Sequence, residues 1–151
     1  MEGISAERAL FEGISDGLVV AIPSNEAPLH GLAGTLDWRF RGQLSQFHVH
    51  NPTPNSRAGF QGNLGEFTLV PLQHRGKTYR VLLVGVGPNA TPGLRTRGAL
   101  AAALPSLARP LQNTLKNLGW KTPGFSSRDW GDISLSQLNT TLDGQEGLLL
   151  D

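Results

Sequence analysis

The sequence predicts an α/β fold in which helices cover a mixed β-sheet, and two observations carry that prediction. The stretch Gly65 to Gly87, GEFTLVPLQHRGKTYRVLLVGVG, reads as a β-hairpin. Phe67, Leu69 and Pro71 alternate with polar or smaller neighbours, His74-Arg75-Gly76-Lys77 makes a polar turn, and Tyr79 to Val86 is an almost unbroken apolar run. An alternating strand is half-exposed, whereas a continuous apolar strand is central to its sheet. Strand-like and helix-like segments also alternate along the rest of the chain, as layered α/β domains require. The second hairpin strand runs through Gly85-Val86-Gly87 into a loop and then a helix, an order that places a ligand-sized crevice at the strand end.

Each element has its own signals. Ser5 to Gly13 predicts a short helix with Ser5 as N-cap, ended by the turn Ser15-Asp16-Gly17. The strand Leu18 to Ile22 follows and stops at Pro23-Ser24-Asn25. From Ala27 to Phe47, Leu29, Leu32, Leu36, Phe40, Leu44 and Phe47 recur at helical spacing, and Gly42 predicts two short helices with a break near Arg41-Gly42. Asn51 to Ser56 reads as an exposed connection, and Arg57 to Asn63 as a glycine-rich, mobile one. Beyond the hairpin, a helix is expected from about Thr91, broken near Leu104-Pro105, with a second helix from Ser106 or Arg109 to Leu118 and Gly119 as its cap. Trp120 to Phe125 reads as a strand, and Ser134 to Leu150 as a terminal helix.

Composition narrows the function classes. The chain has 151 residues, enough for one domain, and 1–151 is read as a single one. Thirteen Lys and Arg balance twelve Asp and Glu, so the net charge of +1 offers no global field for nucleic acid or an anionic membrane. The absence of cysteine excludes disulfides, thiolate metal sites and a cysteine nucleophile, and fits a cytoplasmic protein. The first residues carry no apolar stretch of signal length, so neither secretion nor membrane insertion is expected.

The segments GLVVAIPSNEAPLHGLAGTLDWRFRGQLSQF, GNLGEFTLVPL, YRVLLVGVG, Leu94-Arg95 at a helix start, LGWKTPGFS and the closing Glu146-Gly147-Leu148-Leu149-Leu150 occur in this order. Together they resemble the amino-terminal domain of the leucyl aminopeptidase family. The resemblance implies a macro-domain-like, three-layer α/β architecture. In that family the two-metal site and catalytic lysine belong to the carboxy-terminal domain, whose hallmark is an Asn-Thr-Asp-Ala-Glu-Gly-Arg segment. Asn139 to Gly147 holds similar letters at different spacing, and two-metal hydrolysis needs carboxylates converging on ions roughly 3.5–4 Å apart. Neither catalytic residues nor a metal nor a cofactor is therefore assigned. The resemblance instead implies a non-catalytic accessory module that assembles with itself as a homo-oligomer or docks onto a separate aminopeptidase chain.

The alternative is a binding module for ADP-ribose, a nucleotide or another phosphorylated small molecule. Gly85 and Gly87 at a strand end, with Arg95 in the next helix, would hold an anion through backbone N–H groups and the helix dipole, or else simply make a tight turn. By the macro-domain resemblance, Gly31 and Gly34 stand in the region of a glycine-rich diphosphate loop, and Asp16 is the aspartate to consider for adenine. Leu148, Leu149 and Leu150, read as the end of an unpartnered helix, are the expected interface. His48 and His50 would share one face of a strand as two metal ligands, though two surface histidines explain them as well. Trp38, Arg39, Phe40 and Arg41 interleave aromatic and basic groups, which is read as a core face at Phe40 with arginines reaching outward. Trp120 and Trp130 are read as core or interface anchors. No Gly-x-Ser-x-Gly elbow occurs.

Overall fold

Successive side chains of a strand point to opposite faces, and β1 (Gly17–Ser24) is apolar on both. Leu18, Val20 and Ile22 join the core on one side of the sheet and Val19 and Ala21 the core on the other, all five fully buried. A strand of this kind needs a layer above and a layer below. The computed structural model describes residues 4–24, 31–47, 60–88, 97–126, 129 and 147–150. Helices α1 (Ala6–Phe11) and α2 (Gly31–Arg39) cover the first face, and α3 (Arg97–Leu118) covers the second.

Among the described residues the strands lie in the order β2 (Phe67–His74), β3 (Lys77–Pro88), β1, β4 (Pro123–Ser126), β5 (Leu148–Leu150). β2 and β3 pair antiparallel from Phe67 opposite Val84 to His74 opposite Lys77. The other pairs are parallel, with Leu18 beside both Val81 and Gly124, and Phe125 beside Leu149. The sheet is mixed and three-layered, as the sequence predicts. The alternating strand is the edge and the continuous apolar strand lies inside, which is the distinction their patterns imply. The phase is the reverse of the one read from Phe67, Leu69 and Pro71: Val70 and Leu72 are buried, and Leu69 and Pro71 face outward. Gln43 covers part of the exposed edge: its side-chain amide accepts the Gln73 N–H at 2.9 Å and donates to the Gln73 carbonyl at 2.7 Å.

The first helical layer follows its signals. Ser5 Oγ accepts the Arg8 N–H at 3.2 Å, capping α1, and Arg8 pairs with Glu12 on the exposed face. Leu36, Phe40 and Leu44 are buried in one line, interrupted where Arg41 takes φ +55°. Beyond the break Asp37 accepts the Ser45 N–H at 2.8 Å and steadies a single 3-10 turn, Leu44–Gln46. Phe40 is therefore core, and Trp120 is a core anchor on the other face.

Two expectations are corrected. α3 runs unbroken for 22 residues through Pro105 and Pro110. Leu107, Leu111 and Leu115 recur every fourth residue and are buried on the sheet. At roughly 1.5–3 kcal/mol each, their burial is of the size needed to offset the ~3 kcal/mol cost of an internal proline. The terminal leucines form no helix: Leu148–Leu150 is strand β5, beside β4. Gly124 explains the fit, because a Cβ there would stand 2.8 Å from Leu18 Cδ2 and 2.9 Å from Leu150 Cδ1. Leu150 occupies that room and belongs to the core. Of the remaining expectations, those for residues 48–59, 91–96 and 130–146 lie outside the described residues. Among the described residues no helix is long and apolar enough to cross a membrane.

Candidate functional site

Parallel strands end at a common edge, and open α/β sheets take ligands at the carboxyl ends of their strands. Here that edge is formed by β1 and β3, which stay paired to Ser24 beside Pro88, and by β4, which ends at Ser126. β4 pairs with β1 only as far as Val19 beside Phe125. Two residues further along β1, a side chain takes over the role of a strand. Asp129 Oδ2 accepts the Ala21 N–H at 3.0 Å, and its Oδ1 accepts the Leu32 N–H at 3.3 Å.

Leu32 is the second residue of α2, where backbone N–H groups have no partner within the helix and the dipole presents positive charge. Asp129 is fully buried, and a carboxylate is tolerated there because charge-assisted bonds replace its water. One side chain thus ties the start of α2 to the end of β1. Sequence reasoning passed over Asp129; the available signal was a carboxylate in Ser127-Arg128-Asp129-Trp130 directly after a predicted strand.

The end of β3 is held differently. The Gly85 N–H donates to the Glu66 carbonyl at 2.8 Å, the Gly87 N–H to the Gly62 carbonyl at 3.0 Å, and the Gly65 N–H to the Gly85 carbonyl at 3.2 Å. The Glu66 carboxylate in turn accepts the N–H groups of Gln61 and Asn63 at 3.0 and 3.1 Å. A Cβ at position 85 would lie 2.0 Å from the Asn63 carbonyl oxygen. These glycines allow the segment 60–66 to lie against the strand, and their N–H groups are spent there. The expectation that they stand open to an anion is corrected on that ground.

The other sequence candidates distribute as follows. Gly31 opens α2 and Gly34 stands in its first turn, so both flank Leu32 near the carboxyl edge of the sheet, in a helix and not a loop. Arg95, His30, His48, His50 and Trp130 lie outside the described residues. Asp16 precedes β1 at the opposite edge of the sheet, where its carboxylate accepts the N–H groups of Lys121 and Thr122. It ties two loops together at the end of the sheet away from the carboxyl edge. Among the described residues no group of three or more His, Cys, Asp or Glu side chains converges as a metal site. What the described edge holds is a set of internal backbone and carboxylate hydrogen bonds that fix its shape.

Layer order, mixed sheet and strand-end edge together define a macrodomain-like fold. The solved structures it resembles include the macrodomain of Mycobacterium tuberculosis DarG, with a TM-score of 0.59 and 10% identity over 93% of this chain and 91% of that one. The macrodomain of Thermus aquaticus DarG matches with a TM-score of 0.54 and 11% identity, covering 94% and 93%. A tomato leucine aminopeptidase variant aligns with 85% of this chain at a TM-score of 0.46 and 18% identity, and this chain spans 23% of that enzyme. No protein-family model matches the sequence, and none of the curated proteins does.

Proposed function

We propose that this chain is a binding module for ADP-ribose, a nucleotide or another phosphorylated small molecule, seated at the carboxyl edge of β1 and β3. The observation that carries the reading is the likeness to two macrodomains over more than nine-tenths of both partners' length. Fold alone does not set a ligand, and the geometry adds a second support. Asp129 anchors the start of α2, and the 60–66 segment is bonded along β3. An edge held in this way has little ordering cost left to meet when a ligand arrives. In this reading Gly31 and Gly34 let phosphates approach the backbone at the α2 start, Arg95 supplies positive charge, and Gly85 and Gly87 act by seating the 60–66 segment.

Thermal denaturation with ADP-ribose, ADP and NAD tests the reading. A ligand at a hundred times its Kd stabilises by about 2.7 kcal/mol, which for a domain of this size raises Tm by roughly 5–11 °C. Arg95→Ala should diminish the shift. A flat response to all three ligands refutes the proposal.

The reading as an accessory module, assembling with itself or with a separate aminopeptidase chain, draws on Leu148–Leu150 as an apolar helix in need of a partner. As β5 these residues have one in β4. No described residue favours that reading over ligand binding.

A further inference from the structure

At the other end of the sheet, under the β2–β3 turn, lies a cavity of about 360 Å³ lined by Phe11, Arg39, His74, Arg75, Lys77 and Tyr79. We propose that this cavity binds a phosphate monoester carrying a planar ring, of nucleoside monophosphate size, at a site separate from the carboxyl-edge crevice. β3 is 12 residues long, with Lys77 at the cavity end and Pro88 at the carboxyl end. At ~3.3 Å per residue Lys77 and Pro88 stand roughly 36 Å apart along the strand.

Charge is the first support. Arg39, Arg75 and Lys77 converge on the cavity and no carboxylate lines it. Among the described residues none of the three cations has a side-chain hydrogen-bond or ion-pair partner, Glu12, the residue just past α1, being taken by Arg8. In a chain of net charge +1, three cations in one concavity with no acidic partner among the described residues form a local anion trap. Arg39 is already positioned, its guanidinium 5.7 Å from the centroid of the Phe11 ring. Guanidinium forks suit the paired oxygens of a terminal phosphate.

The aromatic wall is the second support. The Phe11 and Tyr79 rings meet edge to face at 5.1 Å, His74 stands 5.2 Å from Phe11, and Phe40 stacks behind Phe11 at 5.7 Å. Such a wall is rigid and offers apolar and π surface to a planar group. A volume near 360 Å³ falls at the lower end of pockets that hold small organic ligands, about 300–1,000 Å³, and is more than an inorganic anion fills.

The turn itself is the third. Arg75 and Gly76 have φ of +51° and +78°, the two-residue hairpin geometry that ordinarily selects Asn-Gly. An arginine at positive φ is uncommon, and an unfavourable backbone choice retained beside a cavity is accounted for by what the side chain does there.

The experiment is a ¹⁵N-resolved NMR titration of the full chain with AMP, adenosine and inorganic phosphate. AMP should perturb the amides of Phe11, Arg39 and the 74–79 turn saturably. Adenosine and phosphate should each bind at least about tenfold more weakly, since each lacks half of the recognised chemistry. The variant R75N/K77Q keeps the turn's backbone preference, replaces only exposed side chains, and should lose AMP affinity by at least about tenfold. Undisturbed turn amides on adding AMP overturn the proposal, as does adenosine or phosphate binding as tightly as AMP, or full AMP affinity in the variant. The carboxyl-edge reading is scored separately, by perturbation of the Ala21 and Leu32 amides with ADP-ribose, so either site can fail without the other.

Discussion

Replacing Asp129 by alanine tests the account of the carboxyl edge most directly. The carboxylate receives two N–H groups, from Ala21 and Leu32, and all three residues are fully buried. Alanine leaves both donors without that acceptor, and a buried unsatisfied donor costs about 1–3 kcal/mol, so the loss should be about 2–6 kcal/mol. Against a total stability of about 5–15 kcal/mol this is a large fraction. Asp129→Asn keeps one acceptor oxygen and turns an NH₂ group toward the other donor, so it should cost about half as much. Urea unfolding followed by circular dichroism measures both variants, with an unchanged m value showing that the same surface is exposed. A loss below about 0.5 kcal/mol for Asp129→Ala, the size of an ordinary surface substitution, would refute the assignment of Asp129 as the clasp between β1 and α2. Equal losses for alanine and asparagine would show that charge, not the count of hydrogen bonds, carries the effect.

Gly85→Ala places a methyl group 2.0 Å from the Asn63 carbonyl oxygen; it should destabilise by about 1–3 kcal/mol and speed amide exchange at Gly85 and Gly87, and unchanged exchange would sink the account of the 60–66 segment. Leu150→Ala should cost about 2–5 kcal/mol as a core truncation, with wild type and variant both monomeric by light scattering. A wild-type oligomer that the variant dissolves would instead restore the terminal leucines as an interface. Arg75→Asn alone should raise stability by about 1 kcal/mol, since asparagine suits the left-handed backbone better than arginine, while weakening AMP binding; a loss of stability would show that the arginine serves the fold.

The parts of the fold that were legible in the sequence are those where one physical signal dominated. Tyr79 to Val86 had to be an interior strand because both of its faces are apolar, and Ser5 had to cap a helix because its hydroxyl reaches the Arg8 N–H. Leu36, Phe40 and Leu44 showed their common face by spacing alone. Where two signals competed, reading failed. Pro105 and Pro110 argue locally for a break, but the leucine stripe of α3 is satisfied only against the sheet, and that sheet is assembled from segments far away in sequence. Leu148-Leu149-Leu150 has no period to separate helix from strand, and its partner, the gap left by Gly124, is a property of the folded β4. The site was less legible than the fold for the same reason. Gly85 and Gly87 look like a phosphate loop until Asn63 and Glu66 are seen to occupy them, and Asp129 acquires its role only through two backbone groups about a hundred residues away, 108 for Ala21 and 97 for Leu32.

The two proposed sites share α2, which decides whether variants at one can be read cleanly at the other. Its N-terminal end is held through Leu32 by Asp129, and its last residue, Arg39, reaches the cavity under the hairpin turn. A helix of nine residues spans roughly 13 Å, so one short element links the Asp129 clasp to the cavity. They are nonetheless anchored separately. Leu36 and Phe40 are buried in the core, and Phe40 stacks on the Phe11 ring that holds Arg39. Loosening the Asp129 clasp releases the first turn of α2 and leaves that stack in place. Asp129→Asn should therefore alter ADP-ribose binding and leave the AMP-induced shifts at the 74–79 turn unchanged, whereas R75N/K77Q should do the reverse.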